Sequence, residues 1–335
     1  MIPAFLGLSG LALTDAERSF FRSAEPAGYI LFKRNCETRA QMLALTDALR
    51  TLSSRDDVPI LIDQEGGRVQ RMTAPAWPKL PSGEAFARLY EKAPVSAMEA
   101  ARLNAKAIAT MLREVGVNVD CLPLLDVRRP DADAVIGDRA LGSDPMQVAS
   151  LGRLVLDGLR EGGVVGVIKH LPGHGRTHLD THKALPVIEA TDDELADDIQ
   201  PFRRLNDAPM GMTAHLVYAA WDAERPASQS PIVVRDIIRG RIGFDGLLMS
   251  DDLGMHALSG DFGQRAAGAL AAGTDIALHC SGDMAEMEAV AGALGAISEQ
   301  SYDRLQRAMA TIATYASDES FAELAARRDS LLALA

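Results

Sequence analysis

Short hydrophobic segments rich in Val, Ile and Leu alternate along this chain with longer amphipathic segments. About eight of the short segments carry almost no charge, which predicts strands that are buried on both faces of a sheet. We place these strands at residues 2–7, 28–32, 58–62, 117–125, 164–168, 209–215, 246–250 and 274–279. Helices are predicted at residues 38–52, 96–115, 144–163, 191–205, 231–242 and 262–272, and after a capping-box pattern that begins at Thr14.

Alternating strands and helices of this kind indicate an α/β protein, a single-domain (β/α)8 barrel over residues 1–335 with extra C-terminal helices. Two helical stretches are predicted after the eighth strand. A doubly wound open sheet is the alternative. The segment after strand one, SGLALTD, is not the glycine-rich phosphate loop of that fold, and no GxxxxGK[ST] motif occurs. No linker or shift in composition marks a second domain.

Four of the chain's seven histidines fall at intervals of four residues within segment 164–185, VVGVIKHLPGHGRTHLDTHKAL. They are His170, His174, His178 and His182. On a helix this spacing would align four imidazoles as a metal site. Pro172-Gly173 excludes a regular helix, because proline lacks an N–H and glycine costs about 1 kcal/mol in a helix interior. The segment is therefore predicted to be a buried strand followed by a long polar loop.

Polar side chains stand at the C-terminal ends of five predicted strands. They are Asp63 on strand three, Lys169 and His170 on strand five, His215 on strand six, Asp251 on strand seven and His279 on strand eight. One polar residue at the end of a buried strand is weak evidence of a functional site, since buried strands commonly end at polar residues. In a barrel, however, these ends form one rim, where barrel enzymes carry out their chemistry. Their convergence predicts an active site.

Two groups suit nucleophilic and acid–base chemistry. Asp251 follows the buried segment GLLMS, where a carboxylate would be partly desolvated and rigidly held, as suits a nucleophile. Asp180 and His182 lie close enough for the carboxylate to orient the imidazole and raise its basicity. A solvated loop with a local side-chain contact would give the same DTH pattern. Asp252 is expected to cap backbone groups, and His174 to be buried in a tightly folded, glycine-flanked loop base.

Composition narrows the range of partners. Hydrophobic content of 47% and a net charge of −12 indicate a globular protein that nucleic acid or an acidic membrane would repel. No apolar run is long enough to span a bilayer, and the N-terminal segment lacks the basic residues of a signal peptide. Cys36, Cys121 and Cys280 lie far apart, which fits a reducing cytoplasm.

Metal catalysis is disfavoured by the position of the histidines. Barrel metallohydrolases commonly carry an HxH pair at the end of strand one. Here the first histidine is His170, and no two histidines form such a pair. We therefore expect no metal site.

Five segments between Asp63 and Met255 carry recognisable motifs: LIDQEGGRVQRM, IGDRALG, KHLPGHGRTHLDTH, MTAHLVY and GLLMSDDLGM. In this order they resemble the motifs of glycoside hydrolase family 3, specifically its bacterial β-N-acetylglucosaminidase branch. The third segment resembles the signature KH-[FL]-PGHG-x4-D-[ST]-H, and the last resembles the nucleophile strand. The chain also has the length of the family's single-domain members, which include the cytoplasmic β-N-acetylhexosaminidases of peptidoglycan recycling.

The resemblance implies a retaining, two-step hydrolysis of terminal N-acetylglucosamine from peptidoglycan fragments. Asp251 would form a glycosyl-enzyme, while His182, paired with Asp180, would protonate the leaving oxygen and later activate water. The family's substrate-binding positions correspond to Asp63, Arg71, Arg139, Lys169 and His170. The resemblance implies no cofactor. We expect a cytoplasmic monomer that binds a muropeptide-derived carbohydrate, with neither nucleic acid nor membrane as a partner.

The chain departs from the family pattern at three positions. Leu171 stands where phenylalanine is usual, Arg176 where an acidic residue is frequent, and Thr181 where serine is usual. None of these changes removes a functional group from the implied mechanism. Two alternatives stay open. A phosphorylase on the same scaffold is chemically open, because a histidine acid/base carries no negative charge to repel phosphate. A non-catalytic sugar-binding protein is the other.

Overall fold

The computed structural model describes residues 1–129, 135–177, 185–315 and 318–335. Within these ranges, eight parallel strands close into a barrel, which confirms the predicted fold class. The strands are β1 Ile2–Leu6, β2 Pro26–Leu31, β3 Ile60–Ile62, β4 Val119–Asp120, β5 Val165–Leu171, β6 Met210–Thr213, β7 Leu247–Asp252 and β8 Ile276–His279. Each strand pairs with its neighbours in the chain, and β1 pairs with β8 to close the barrel.

Helices lie between and after the strands. They are α1 Asp15–Ala24, α2 Arg39–Ser53, α3 Gly83–Lys92, α4 Pro94–Glu114, α5 Pro145–Glu161, α6 Asp192–Arg204, a π-helix Val233–Ile242, α7 Phe262–Ala272, α8 Met284–Ala293, α9 Glu299–Ala310 and α10 Phe321–Leu332. The capping box predicted at Thr14 is present: its hydroxyl accepts the N–H of Glu17, whose carboxylate accepts the N–H of Thr14.

Two features of the helical layer differ from the prediction. Among the described residues, three helices follow β8 instead of two, because Ser298 and Ser320 each cap the start of a new helix and so divide the segment. Helix α3 is not among the predicted helices. It precedes α4 with only Ala93 between them, and Pro94 begins the second helix at a position that proline favours.

Strands four and five also differ from their predicted bounds. Strand four is predicted to reach residue 125, but the regular strand ends at Asp120, and the chain beyond it pairs irregularly with β5, with a bridge between Leu124 and Lys169. Pro123 explains the interruption, because proline has no N–H to donate to a neighbouring strand. Strand five extends to Leu171 rather than to residue 168, so that Lys169 lies within it.

Two small sheets stand above the C-terminal ends of the barrel strands. One is a hairpin of Gln64–Gly66 and Val69–Gln70, directly after β3. The other joins Val187–Ile188, Val217–Tyr218 and Asp222–Pro226. Neither is predicted from the sequence, since the strands are too short to show periodicity.

Apolar side chains fill the barrel interior at its N-terminal end. Inward-facing side chains such as Phe5 and Met249 pack with Leu305 of α9. Asp275, directly before β8, accepts hydrogen bonds from Ser301 and Arg304 of the same helix at 2.8 and 3.1 Å. These contacts hold α9 across the N-terminal ends of the strands, and the C-terminal ends carry the cavity described next.

Candidate active site

A cavity of about 480 Å³ opens at the C-terminal ends of the barrel strands. Its walls include six of the residues predicted for the site. They are Asp63, Arg71, Arg139, Lys169, His170 and Asp251. The barrel therefore gathers side chains from widely separated segments. Asp180 and His182, predicted as an acid/base pair, lie outside the described residues, as does His178.

Lys169 joins two carboxylates in the cavity wall. Its side chain is 2% exposed, and its ammonium lies 2.9 Å from Asp63 Oδ1 and 2.6 Å from Glu65 Oε1. Arg71 donates to Asp63 Oδ2 at 3.0 Å. Burial alone would raise the pKa of Asp63, but Lys169 and Arg71 outweigh it and hold that pKa well below its usual range. Burial would lower the pKa of Lys169, but the two carboxylates raise it. All of these groups are therefore charged near neutral pH.

Glu65 also belongs to the site, although it is not among the residues predicted from the sequence. Arg139 donates two parallel hydrogen bonds to its carboxylate, each 2.8 Å long. Burial acts to raise the pKa of Glu65, whereas Arg139 and Lys169 lower it to about 2. A signal for this residue exists in the sequence: Asp63 and Glu65 are two positions apart after a buried strand, a spacing that puts both on one side of an extended chain.

Asp251, near the end of β7, carries the ionised carboxylate predicted for a nucleophile. One of its oxygens accepts the N–H of Asp252 at 2.8 Å. Burial raises its pKa, but the nearby basic groups, His170 first among them, and the hydrogen bond from the Asp252 N–H together outweigh burial, so that the pKa lies below its usual value. Asp252 caps backbone groups as expected, since its Oδ1 accepts the N–H groups of Gly254 and Cys280 at 3.0 and 3.1 Å.

Two histidines predicted at the rim, His215 and His279, do not line the cavity. His215 is fully buried, and its Nε2 donates to the carbonyl oxygen of Asp252 at 3.0 Å, while its Nδ1 lies 2.6 Å from the hydroxyl of Ser228. His279 is also buried, with its Nε2 3.0 Å from the hydroxyl of Ser281. His215 therefore holds the backbone next to Asp251, whereas His279 contacts side chains outside the cavity.

Asp126 organises the turn that follows β5. Its Oδ1 accepts the N–H groups of His170 at 3.2 Å and of His174 at 2.7 Å, and its Oδ2 lies 2.8 Å from His170 Nδ1. Burial acts to raise the pKa of Asp126, but His170 and, to a smaller extent, His174 together lower it to about 2. The role of Asp126 is not predicted from the sequence, because its contacts depend on how the chain beyond β4 runs beside β5.

His174 is buried, as predicted, and its imidazole also lines the cavity. Burial and the nearby His170 lower its pKa to about 4, so that the ring is neutral at pH 7. The loop base around it is tightly folded: a Cβ on Gly175 would lie 1.9 Å from the carbonyl oxygen of Val127. This confirms the interpretation of the glycines beside His174.

Asp198 of α6 binds the chain at two places beside the site. Its Oδ1 accepts a hydrogen bond from Arg129 at 3.0 Å, and its Oδ2 accepts one from Arg176 Nε. Arg176 also donates to the carbonyl oxygen of Glu194 at 2.7 Å. Arg176, one of the departures from the family pattern, therefore docks the loop base on α6.

The polar character of the cavity comes from these ion pairs and hydrogen bonds. In the part of the chain that the structure describes, no cluster of three or more His, Cys, Asp or Glu side chains could hold a metal ion. The helices within the same residues are too short or too polar to span a bilayer.

Almost the whole chain matches a known enzyme family. Residues 6–314 match the family model described as the glycosyl hydrolase family 3 N terminal domain. The chain belongs to glycoside hydrolase family 3. Two relatives of this family 3 chain, both named beta-hexosaminidase, are 38% identical to it. That of Aromatoleum aromaticum matches over 284 residues (83% of this chain and 79% of the relative), and that of Chromobacterium violaceum over 311 residues (91% and 86%).

Solved structures support the same family. Native NagZ from Neisseria gonorrhoeae is 30% identical, with a TM-score of 0.86 over 99% of this chain and 97% of NagZ. The same NagZ has been solved in complex with N-trifluoroacetyl-D-glucosamine, with a TM-score of 0.86 to this chain and 29% identity over the same shares of both chains. This family 3 chain is accordingly a glycoside hydrolase of the β-N-acetylhexosaminidase type, as its motifs imply.

Proposed function

We propose that this enzyme releases terminal, non-reducing N-acetylglucosamine with retention of configuration, and that Asp251 is the nucleophile. The observation that carries the proposal is the ionised Asp251 carboxylate in a cavity that also holds the Asp63–Lys169 pair. Around it, Asp63 accepts hydrogen bonds from sugar hydroxyls. Donors to the same sugar are Arg71, Arg139, Lys169 and His170.

The reaction takes two steps. Asp251 attacks the anomeric carbon and forms a glycosyl-enzyme, and the glycosidic oxygen leaves with a proton supplied by His182. His182 then takes a proton from the water that attacks the same carbon, which releases the sugar and frees Asp251. Asp180 orients the imidazole in both steps. The roles of Asp180 and His182 are supported by the match of the DTH segment to the family signature.

The substrate we propose is N-acetylglucosamine linked to 1,6-anhydro-N-acetylmuramic acid, with or without a peptide stem, in cell-wall recycling. The enzyme acts as a cytoplasmic monomer with one domain over residues 1–335. The motif resemblance supports this assignment. The cavity volume of about 480 Å³ lies within the usual range for a small-molecule site, which suits one sugar ring with the leaving group toward the opening.

The experiment is hydrolysis of a chromogenic β-N-acetylglucosaminide beside the matching β-glucoside. Wild type should cleave only the acetamido sugar, with the β-anomer as first product. Asp251→Ala should lose activity, and His182→Ala should be strongly impaired. Full activity of Asp251→Ala would refute the nucleophile, and equal cleavage of the glucoside would refute the specificity.

Two further measurements separate the alternatives. A sugar 1-phosphate formed in the presence of phosphate would identify a phosphorylase, whereas hydrolysis without phosphate supports the glycosidase. Binding of the sugar without turnover by wild type would identify a non-catalytic sugar-binding protein.

A further inference from the structure

Asp126 is fully buried and lies outside the cavity wall, behind His170. Its two oxygens have different partners: Oδ1 accepts two backbone N–H groups of the turn, and Oδ2 faces His170 Nδ1 at 2.8 Å. An ionised carboxylate can only accept hydrogen bonds, so His170 Nδ1 must carry a proton. The ring nitrogen on the other side, Nε2, is then directed away from Asp126.

We propose that Asp126 is a positioning residue that fixes the tautomer of His170 and aims its Nε2 at the bound sugar. The proposal rests on the proposed function, because it takes His170 as a substrate-binding residue. A buried carboxylate that holds one imidazole nitrogen determines the role of the other nitrogen. Asp126 would thus act on the substrate without touching it.

Other groups near His170 do not supply this function. The Lys169 ammonium is bound to Asp63 and Glu65. The Nδ1 of His174 has no hydrogen-bond partner among the described residues, and the ring centroid of His174 lies 5.4 Å from that of His170. Asp126 is therefore the group that sets the hydrogen-bonding state of His170 Nδ1.

Because Oδ1 and Oδ2 of Asp126 have different partners, the variant Asp126→Asn tests the proposal. The asparagine carbonyl can still accept both backbone N–H groups and preserve the turn. Its NH2 group then faces His170 Nδ1, which must become an acceptor, so that the proton moves to Nε2. The variant keeps the shape of the turn and reverses the tautomer.

The decisive measurement is the ¹⁵N spectrum of histidine-labelled protein at alkaline pH, where imidazoles are neutral and carry one proton, with the His170 signals assigned through His170→Gln. Wild type should show a protonated Nδ1, and Asp126→Asn a protonated Nε2. Asp198→Asn is the matched control: its carboxylate is equally buried and contacts the same loop base, but its hydrogen bonds described above go to Arg129 and Arg176. The control should retain the wild-type tautomer.

Kinetics supply the second test. Asp126→Asn should lower kcat/KM about 10- to 100-fold, the effect of one misdirected charge-assisted hydrogen bond. In a His170→Gln background the same change should cost little, because Asp126 acts through His170. If the losses in kcat/KM of the two single variants instead multiply in the double variant, the proposal is wrong. An unprotonated His170 Nδ1 in wild type would also overturn it, and this result is available even if Asp126→Asn fails to fold.

Failure of the proposal and failure of the proposed function give different results. Wild-type kcat/KM in His170→Gln would refute the sugar contact and with it the positioning role, whatever Asp251→Ala does. Full activity of Asp251→Ala would refute the nucleophile while the ¹⁵N spectrum still reports the Asp126–His170 pair.

Discussion

Lys169 shows how the site keeps several charges away from water. Its ammonium contacts both Asp63 and Glu65, and each carboxylate has a second cation, Arg71 or Arg139. Buried charges persist only when each has a partner of opposite sign. The set therefore depends on all of its members, and the loss of one leaves the others uncompensated.

Replacing Lys169 by methionine should be costly for this reason. Lys169→Met leaves two buried carboxylates without their shared cation, and we expect the free energy of unfolding to fall by about 3–5 kcal/mol. Urea denaturation measures the change. Lys92→Met, at an exposed position, should alter stability by less than about 0.5 kcal/mol. Equal losses in the two variants would contradict the account of the network.

Asp120, at the end of β4, should make stability fall as pH rises. Its Oδ1 accepts the N–H of Gln64 at 3.0 Å, and among the described residues its buried Oδ2 has no hydrogen-bond partner. Burial raises its pKa to about 8. An unfolded aspartate ionises near pH 4, so between about pH 4 and 8 only the unfolded chain has lost the proton.

The comparison of wild type with Asp120→Asn isolates this effect. Relative to the variant, wild type should lose stability steadily between pH 5 and 8 in urea denaturation, because asparagine does not titrate. Glu65 and Asp126 change stability only at lower pH, since both pKa values are about 2. Their contributions are the same in both proteins and cancel in the difference between wild type and Asp120→Asn. A difference that is constant with pH would show that Asp120 is ionised in the folded protein.

At the scale of elements, the turn after β5 is fitted between its neighbours. Gly175 packs on the carbonyl oxygen of Val127, and the hydroxyl of Tyr218, from one of the small sheets, donates to the carbonyl oxygen of Gly173 at 2.6 Å. These contacts position His170 and His174. The catalytic geometry therefore depends on backbone packing as well as on charged side chains.

Gly175→Ala tests this dependence. The added methyl group would overlap Val127 and displace the turn, so we expect destabilisation of about 1–3 kcal/mol and a fall in kcat/KM. Gly292→Ala is the matched control, because its Cβ would meet nothing within 4 Å and alanine is favoured in a helix such as α8 by about 1 kcal/mol. A fully active, stable Gly175→Ala variant would refute the packing argument.

What the sequence predicts at this scale follows from how local each signal is. Most strands and helices show in the hydrophobic pattern, because periodicity is a property of one segment. Glu65 and Asp126 gain their roles only when distant segments meet, as Arg139 reaches Glu65 and the chain beyond β4 reaches His170. Their types and positions are visible in the sequence, but their partners are not.

At the scale of the whole molecule, the two ends of the barrel have different tasks. Leu305 of α9 is fully buried in the barrel interior at the N-terminal end, away from the cavity. In TIM-like barrels, residues at this end serve stability and those at the other end serve catalysis. Stability and activity should therefore respond separately to substitutions at the two ends.

Leu305→Ala should lower the free energy of unfolding by about 2–5 kcal/mol, since it opens a cavity in the core. The kcat/KM of the folded fraction should remain that of wild type. Leu43→Ala, at an exposed position on α2, provides the control, and its stability should change by less than about 0.5 kcal/mol. A drop in kcat/KM without a loss of stability in Leu305→Ala would contradict this separation.

Helix α9, across the N-terminal end of the barrel, also determines the order in which ligands enter and leave the site. In the part of the chain that the structure describes, α9 closes that end, so the cavity opens only at the C-terminal ends of the strands. The part of a ligand that is bound deepest in the cavity therefore leaves last. Under the proposed mechanism, the leaving group has to depart before the sugar bound to Asp251 can leave, and the next substrate can bind only after both have left.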